Sequence, residues 1–207
     1  MKISAFCGKK IIKIIKYKMK HIAIFATGNG SNAQKIIEHF ENHDAAKISL
    51  VISNKKTAGV LEKAAVKNIS TLIINREEFY QTEDILEKLD AFQIDFIVLA
   101  GFLWLMPTYI VKSYANKVVN IHPALLPKYG GKGMYGMNVH RAVHAAQEAE
   151  SGMTIHYVNE QYDEGAIIFQ AKCSLQSTDS PDDIAKKVLQ LEHQHYSEVI
   201  ENLILET

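Results

Sequence analysis

A regular alternation of apolar strands and helical segments is the feature that most restricts how this chain can fold. Four short apolar runs indicate buried strands of the kind found in parallel sheets. They cover residues 21–26, 48–53, 70–74 and 96–100. Helical patterns separate them, reaching residue 40 and covering residues 58–67 and 79–89. This alternation predicts an α/β protein with a three-layer, mostly parallel twisted sheet and a Rossmann-like N-terminal half.

The C-terminal third of the chain departs from this alternation. Residues 152–158 and 166–175 are predicted strands joined by a short acidic loop, which predicts an antiparallel hairpin. Ser180 and Pro181 then form a helix start, with an N-cap followed by proline at the first helical position. The helix is predicted to end near residue 203. No repeat or linker interrupts residues 20–207, which are predicted to form one domain.

A fifth apolar strand ends abruptly in the string N-I-H-P-A-L-L-P at residues 120–127. Pro123 removes an N–H donor and fixes φ, so strand pairing cannot continue past it. Asn120 and His122 are two positions apart and therefore point to the same face, at the sheet edge where open α/β sheets bind ligands. The pair predicts an electrophilic site that holds a carbonyl oxygen. A capping Asn and a hydrogen-bonded histidine near a turn are the alternative.

Charge is unevenly distributed along the chain. The first 20 positions hold seven lysines and no acidic residue, which leaves 16 of the 23 basic residues against all 23 acidic residues in the rest. This negative balance argues against nonspecific nucleic-acid binding by the body of the protein. The lysine-rich start has two interpretations, a basic amphipathic membrane anchor and an unstructured extension. We expect a disordered extension over residues 1–19, with Met19 as the true start.

The remaining composition indicates a cytoplasmic protein. Hydrophobic residues make up 47% of the 207 residues, yet no segment has the character of a membrane span or a signal peptide. Cys7 and Cys173 are the only cysteines. Two cysteines so placed form neither a disulfide framework nor a zinc site, which suits a reducing compartment. We therefore expect no membrane partner.

The first strand is followed by a glycine-rich turn, T-G-N-G-S-N at residues 27–32, and then by a helix. This arrangement predicts anion binding, because a helix N-terminus presents unpaired N–H groups. A dinucleotide site also needs a carboxylate after the second strand, where Asn54, Lys55 and Lys56 stand instead. NAD is therefore disfavoured, NADP is left open, and a single phosphate fits better. Helix capping by Ser31 or Asn32 is compatible with that role.

Three further segments surround the predicted crevice. Residues 101–107 are bulky and apolar, typical either of core or of a pocket wall. Residues 130–137 contain four glycines and are predicted to form a mobile flap. His140 and His144 have the spacing of metal ligands on a helix, but they lack the glutamate and the third ligand of a zinc site. We predict that both histidines face solvent and that the protein holds no metal.

The string at residues 120–127 resembles the signature of the formyltransferase family that uses 10-formyltetrahydrofolate. Other motifs of the family occur in the same order. They are G-N-G-S-N at 28–32, L-A-G-F at 99–102, H-Y-V at 156–158, D-x-G at 163–165, Q-A at 170–171 and E-H at 192–193. The resemblance covers about residues 20–203. It points to the branch that formylates glycinamide ribonucleotide in de novo purine synthesis.

The resemblance implies a role for each matching residue. Asn120, His122 and Asp163 are implied to be catalytic. The residues implied to bind the ribonucleotide, through its phosphate and ribose, are Gly30, Ser31, Asn32 and Glu192. The residues implied to contact the folate are Arg76, Leu103, Trp104, Leu105, Met106 and Asn120. Trp104 stands where some members have a basic residue, and the loop at 130–137 is longer than in familiar bacterial members.

The implied chemistry is attack of an amine on the formyl carbon, which creates an oxyanion. Asn120 and protonated His122 are expected to donate hydrogen bonds to it. Asp163 is expected to raise the pKa of His122 toward working pH and to receive the amine proton. The partners implied are the ribonucleotide and the formyl folate, with no metal, no nucleic acid, and a monomer or homodimer.

The sequence leaves several rival interpretations of the function open. Methionyl-tRNA formyltransferase and formyltetrahydrofolate hydrolase resemble the same catalytic string. The first adds a C-terminal RNA-binding domain and the second an N-terminal regulatory domain, neither of which we expect in this sequence. Outside the family, the alternatives are an NADP-binding oxidoreductase and a non-catalytic nucleotide-binding module.

Overall fold

A computed structural model describes residues 18–206. Within this range seven strands form one sheet in the order β3-β2-β1-β4-β5-β6-β7. The strands are β1 Lys20–Phe25, β2 Ala46–Ser53, β3 Ser70–Ile73, β4 Phe96–Leu99, β5 Val118–His122, β6 Glu150–Tyr157 and β7 Ile167–Ser174. Most of the predicted disordered extension, residues 1–17, lies outside the described residues.

The first five strands pair in parallel, whereas β6 is antiparallel to both β5 and β7. Helices connect the strands. They are α1 Ser31–Phe40, α2 Gly59–Val66, α3 Arg76–Gln81, α4 Asp84–Ala91, α5 Thr108–Ser113, α6 Met137–Ala145 and α7 Pro181–Leu205. The predicted fold class is confirmed, because the sheet is mostly parallel with a Rossmann-like order and ends in an antiparallel hairpin.

Two apolar cores separate the three layers. Alternating side chains of β1 show how, since Ile22 and Ile24 enter one core and Ala23 and Phe25 enter the other. The first core includes residues of α1, α2, α6 and α7, and the second includes residues of α3, α4 and α5. Each strand near the centre of the sheet is therefore buried on both faces, as its continuous apolar sequence requires.

Two helices differ from the sequence prediction. The single helix predicted over residues 79–89 is wrong, because the chain forms α3 and α4 with a break at Thr82. Thr82 has an extended backbone, and its hydroxyl donates to the Glu78 carbonyl oxygen at 3.0 Å while accepting from the Asp84 N–H at 3.4 Å. The hydroxyl thus competes with the helical hydrogen bonds. Helix α5 is missing from the prediction because six residues are too few to show helical periodicity.

The segment after β5 turns back toward the end of its own strand. The Leu126–Pro127 peptide bond is cis. The Thr154 hydroxyl accepts from the Leu126 N–H at 3.0 Å and donates to the Ala124 carbonyl oxygen at 2.6 Å. Gln170 donates to the Leu126 carbonyl oxygen at 3.0 Å. These contacts from β6 and β7 fix the path of the chain, so that residues 129–131 return to His122.

Length and apolar character decide whether a helix can cross a membrane. Among residues 18–206, no helix combines the length and the apolar character needed to cross a membrane. The longest, α7, begins with the predicted capping arrangement, in which Ser180 and Asp183 each bond the backbone N–H of the other.

Candidate active site

A cavity of about 710 Å³ opens at the carboxyl ends of the central strands. Ten of the residues predicted to form the site line it. They are Asn32, Arg76, Leu103, Trp104, Leu105, Met106, Asn120, His122, Asp163 and Glu192. Gly30 and Ser31 do not line the cavity but directly precede Asn32 at the start of α1. The sheet thus brings together residues from six separate parts of the chain.

The end of β5 places Asn120 and His122 in this cavity. Both lie on one face of the strand, and β6 pairs with them in antiparallel register, so that Asn120 faces His156 and His122 faces Thr154. His122 is only 3% exposed. Its Nε2 donates to the carbonyl oxygen of Tyr129 at 2.8 Å. The proton on Nε2 is therefore fixed, and Nδ1 is the ring atom left for chemistry.

The loop between β6 and β7 brings Asp163 to the same point. Its backbone has a positive φ of 58°, in the left-handed region that Asp adopts more readily than most residues. Oδ2 accepts from the Gly131 N–H at 3.0 Å and lies 3.4 Å from Nδ1 of His122. Oδ1 lies 3.5 Å from the amide nitrogen of Asn120. The three residues predicted to be catalytic therefore converge around one carboxylate.

Burial decides the pKa of His122. Loss of hydration lowers this pKa below its ordinary value of 6.5, and the opposing effect of the Asp163 carboxylate does not reverse the shift. The expectation that Asp163 raises the pKa of His122 toward working pH is therefore wrong in its net direction. A neutral His122 has its lone pair on Nδ1, directed at Asp163.

The pKa of Asp163 is lowered below its ordinary value of 3.8. Burial acts in the opposite sense, but the proximity of His156 and His122 and the bond from the Gly131 N–H together outweigh it. Asp163 is therefore ionised at neutral pH. A proton that arrives at Nδ1 of His122 would be stabilised at once by the adjacent carboxylate.

His156 belongs to this cluster but is not among the predicted site residues. It is 2% exposed and lines the cavity, with Nε2 at 3.1 Å from the amide nitrogen of Asn120 and 3.6 Å from Oδ1 of Asp163. Nδ1 lies 2.8 Å from the carbonyl oxygen of Tyr157. The H-Y-V motif contains this histidine, but only the register between β5 and β6 shows that it faces Asn120.

A second polar pair lies at the end of the cavity near α1. The amide nitrogen of Asn32 donates to Oε2 of Glu192 at 2.6 Å. Glu192, on α7, is 7% exposed, and burial raises its pKa even though the bond from Asn32 acts in the opposite direction. Gly30 adopts a left-handed conformation with φ of 74° as the N-cap, and a Cβ there would lie 2.6 Å from Val60. The first N–H groups of α1, which have no partner within the helix, lie next to the Asn32–Glu192 pair.

The opposite end of the cavity is aromatic. The guanidinium carbon of Arg76 lies 5.4 Å from the ring centre of Tyr80 and 5.9 Å from that of Trp104. The Tyr80 hydroxyl donates to the carbonyl oxygen of Leu105 at 3.0 Å, which ties α3 to the wall formed by residues 101–107. The segment predicted to be a pocket wall therefore does line the cavity. Tyr80 is a further lining residue that the sequence prediction does not include.

The glycine-rich segment 130–137 forms part of the cavity rim. Helix α6 follows it and carries His140, which is 6% exposed and lines the cavity. The prediction that His140 faces solvent is therefore wrong, whereas His144 one turn later is exposed. Val139 and Val143 direct this face of α6 to the core, so His140 turns inward with them. Within residues 18–206, no three side chains of His, Cys, Asp or Glu form a metal-binding group.

Comparison with known proteins gives a consistent result. Residues 20–200 match the sequence profile of the formyl transferase family. A phosphoribosylglycinamide formyltransferase from Arabidopsis thaliana, described as chloroplastic, is 38% identical over 88% of this chain and 65% of its own length. The enzyme of that name from Haemophilus influenzae is 37% identical over 88% of this chain and 86% of its own length. The chain spans slightly less than two thirds of the plant relatives, 65% and 62%.

Solved structures agree with the sequence comparison. Glycinamide ribonucleotide transformylase 1 from Symbiobacterium toebii superposes with a TM-score of 0.82 at 28% identity, covering 91% of this chain and 89% of that protein. The match therefore includes the sheet, the hairpin and the helices that build the cavity. The chain belongs to the formyl transferase family.

Proposed function

We propose that this protein transfers the formyl group of 10-formyltetrahydrofolate to the amino group of 5-phosphoribosylglycinamide. The product is N-formylglycinamide ribonucleotide, an intermediate of de novo purine (IMP) biosynthesis. The observation that carries the proposal is the convergence of Asn120, His122 and Asp163 inside one cavity. The names of the curated relatives support the choice of this ribonucleotide as acceptor.

The role of each catalytic residue follows from its contacts in the cavity. The amine attacks the formyl carbon, and the formyl oxygen takes up negative charge. Asn120 donates an amide N–H to that oxygen, an interaction of a kind whose loss costs about 3 kcal/mol of transition-state stabilisation. Because the pKa of His122 is lowered, we assign the amine proton to Nδ1 of His122 rather than to Asp163 as the resemblance implies, and the Asp163 carboxylate then stabilises the imidazolium. The same proton then goes to the departing folate nitrogen as its bond to the formyl carbon breaks.

Substrate binding divides between the two ends of the cavity. Gly30, Ser31 and Asn32 hold the phosphate at the N-terminus of α1, where unpaired N–H groups favour an anion, and Glu192 contacts the ribose. The opposite end receives the folate. Its residues are Arg76, Leu103, Trp104, Leu105 and Met106, together with Asn120 nearer the reacting carbon. The amine and the formyl group then meet at His122.

Residues 20–207 form the formyltransferase domain, preceded by an extension over residues 1–19. The protein works in the cytoplasm as a monomer or homodimer on small-molecule substrates, with formyl folate as co-substrate. Neither a metal, nor a nucleic acid, nor a membrane takes part.

The test is a spectroscopic assay of formyl-folate consumption by the purified protein. We expect consumption that depends on 5-phosphoribosylglycinamide and gives the formylated ribonucleotide, identified by mass spectrometry. Consumption at the same rate without the ribonucleotide would indicate a hydrolase instead. No consumption in either case would reject formyl transfer.

A further inference from the structure

His156 is a buried titratable group in contact with two of the three proposed catalytic side chains. The mechanism above gives it no role. Its position is set by the fold, because strand pairing places it directly opposite Asn120. Burial of an imidazole costs free energy unless its nitrogens are hydrogen-bonded. Both nitrogens of His156 have partners, and the identities of those partners determine where its proton lies.

The contacts of Asn120 define the orientation of its amide. The amide nitrogen faces Oδ1 of Asp163 at 3.5 Å, and a carboxylate oxygen can only accept from it. The same nitrogen lies 3.1 Å from Nε2 of His156. Since an amide nitrogen can only donate, Nε2 of His156 must be the acceptor. The amide nitrogen is therefore held by one firm bond to His156 and one long contact to Asp163.

The other side of the imidazole agrees with this assignment. Nδ1 of His156 donates to the carbonyl oxygen of Tyr157 at 2.8 Å, so the ring is neutral with its proton on Nδ1. Gly165 makes room for this arrangement, because a Cβ there would lie 1.7 Å from that carbonyl oxygen. A protonated Nε2 would place two donors 3.1 Å apart. The chain of donors thus runs from Asn120 through His156 to the backbone of β6.

We propose that His156 is a positioning residue that acts through Asn120. By accepting one amide hydrogen at Nε2, it keeps the nitrogen of Asn120, rather than its oxygen, directed at the reaction site. The second amide hydrogen makes only the 3.5 Å contact to Asp163 in the absence of substrate. When substrate binds, Asn120 donates this hydrogen in a hydrogen bond to the formyl oxygen. A reversed amide would present an oxygen to the developing negative charge. This inference rests on the proposed formyl transfer.

Two substitutions separate the two nitrogens of the ring. His156→Gln retains an oxygen acceptor at the reach of Nε2, whereas His156→Asn retains only a group at the reach of Nδ1. We expect His156→Asn to lower kcat by roughly tenfold to a hundredfold, somewhat less than removal of an oxyanion donor, with the KM of both substrates unchanged. His156→Gln is expected to stay within about fivefold of the unmodified protein, because a neutral hydrogen bond of similar strength is retained. Equal loss in both variants, or no loss in either, would overturn the proposal.

A double-mutant cycle tests whether His156 acts through Asn120. In the background of Asn120→Ala, the His156→Asn substitution should cause no further loss of kcat. A full additional loss would show that His156 acts independently, for example as a proton carrier, and would reject the positioning role. Circular dichroism and the melting temperature of each variant show whether the fold is retained.

A measurement on the unmodified protein does not depend on activity. Two-bond proton–nitrogen correlation spectra of 15N-histidine-labelled protein report the protonated nitrogen of each ring. We expect His156 to be neutral with its proton on Nδ1 at neutral pH. A proton on Nε2, or a doubly protonated ring, would overturn the inference. If the protein shows no formyl transfer but His156 carries the expected proton, the proposed function fails while the assigned hydrogen-bond chain stands.

Discussion

Nδ1 of His122 lies 3.4 Å from Oδ2 of Asp163, and one backbone turn holds both residues. The carbonyl oxygen of Tyr129 accepts from Nε2 of His122 at 2.8 Å, and the Gly131 N–H donates to Oδ2 of Asp163 at 3.0 Å. Gly130 lies between Tyr129 and Gly131 in this turn, and a Cβ at Gly130 would lie 2.6 Å from the Leu126 side chain. The turn therefore fixes which nitrogen of His122 carries a proton and where the carboxylate points.

Asp163→Asn removes the negative charge and keeps the shape of the side chain. The positive φ of 58° at this position is one that Asn adopts readily, so the backbone is expected to remain in place. Without the carboxylate, an imidazolium at His122 loses its stabilising partner. We expect kcat to fall by at least about 100-fold, as for the loss of a general acid–base group. Steady-state kinetics with both substrates measures this change, and His122→Ala should have an effect at least as large.

Glu164→Gln is the matched control, because it removes a negative charge from the adjacent exposed position. It should leave kcat unchanged. If Glu164→Gln slows turnover as much as Asp163→Asn does, the effect belongs to the charge of the loop rather than to contact with His122.

The sequence was sufficient to predict a mostly parallel sheet and the end of strand β5, because a buried strand interrupted by Pro123 leaves few alternatives. Asn120 and His122 could be assigned to one face from strand periodicity alone. The facing residue His156 could not, because periodicity does not give the register between two strands. The net pKa shift of His122 also could not be predicted, since it depends on how far the chain buries the ring.

Asn32→Asp tests which end of the cavity binds the phosphate. The new carboxylate would stand beside Glu192, where the Asn32 amide now donates at 2.6 Å, and its charge would also repel a phosphate. We expect the KM for the ribonucleotide to rise at least about tenfold, equivalent to 1.4 kcal/mol of binding. The KM for formyl folate should change little. A rise confined to the folate KM would reverse the assignment of the two ends.

Trp104→Ala tests the aromatic end in the same assay. Trp104 supplies a wall and one face of the Arg76 stack, whose guanidinium carbon is 5.9 Å from its ring centre. We expect the KM for formyl folate to rise by roughly fivefold, about 1 kcal/mol of binding, because the folate loses the indole wall and Arg76 loses one of its aromatic partners. Trp104→Phe keeps a ring and should show a smaller rise. An unchanged folate KM in Trp104→Ala would exclude this residue from the folate site.

His140→Asn tests the corrected position of this histidine through the pH dependence of stability. Burial, with a smaller contribution from nearby His122, lowers the pKa of His140 below its ordinary value of 6.5. Between the lowered pKa and 6.5 the unfolded chain binds more protons than the folded protein, so the free energy of unfolding rises with pH in that window. Replacement of His140 should flatten this rise when urea unfolding is compared at about pH 5.5 and about pH 7.

His144→Asn is the control for His140, since His144 lies one turn away on α6 and is exposed. Its replacement should leave the pH dependence as in the unmodified protein. If both variants flatten the rise equally, burial of His140 is not its cause.

Tyr129→Phe tests whether the turn that holds His122 and Asp163 needs support from outside the cavity. Tyr129 has an unfavourable positive φ of 57°, and its hydroxyl donates to Oε1 of Glu148 at 2.8 Å. Removing the hydroxyl leaves the carbonyl that faces His122 but loosens its attachment. The carbonyl oxygen that accepts from His122 is then held less firmly, so we expect kcat to fall by about threefold to tenfold with both KM values unchanged. Lys128→Met removes the other partner of Glu148, at 2.9 Å, without touching the Tyr129 hydroxyl, and should leave kcat unaltered. Because Lys128 and Tyr129 share the same acceptor, an equal loss in both variants would assign the effect to Glu148 and not to the geometry of the turn.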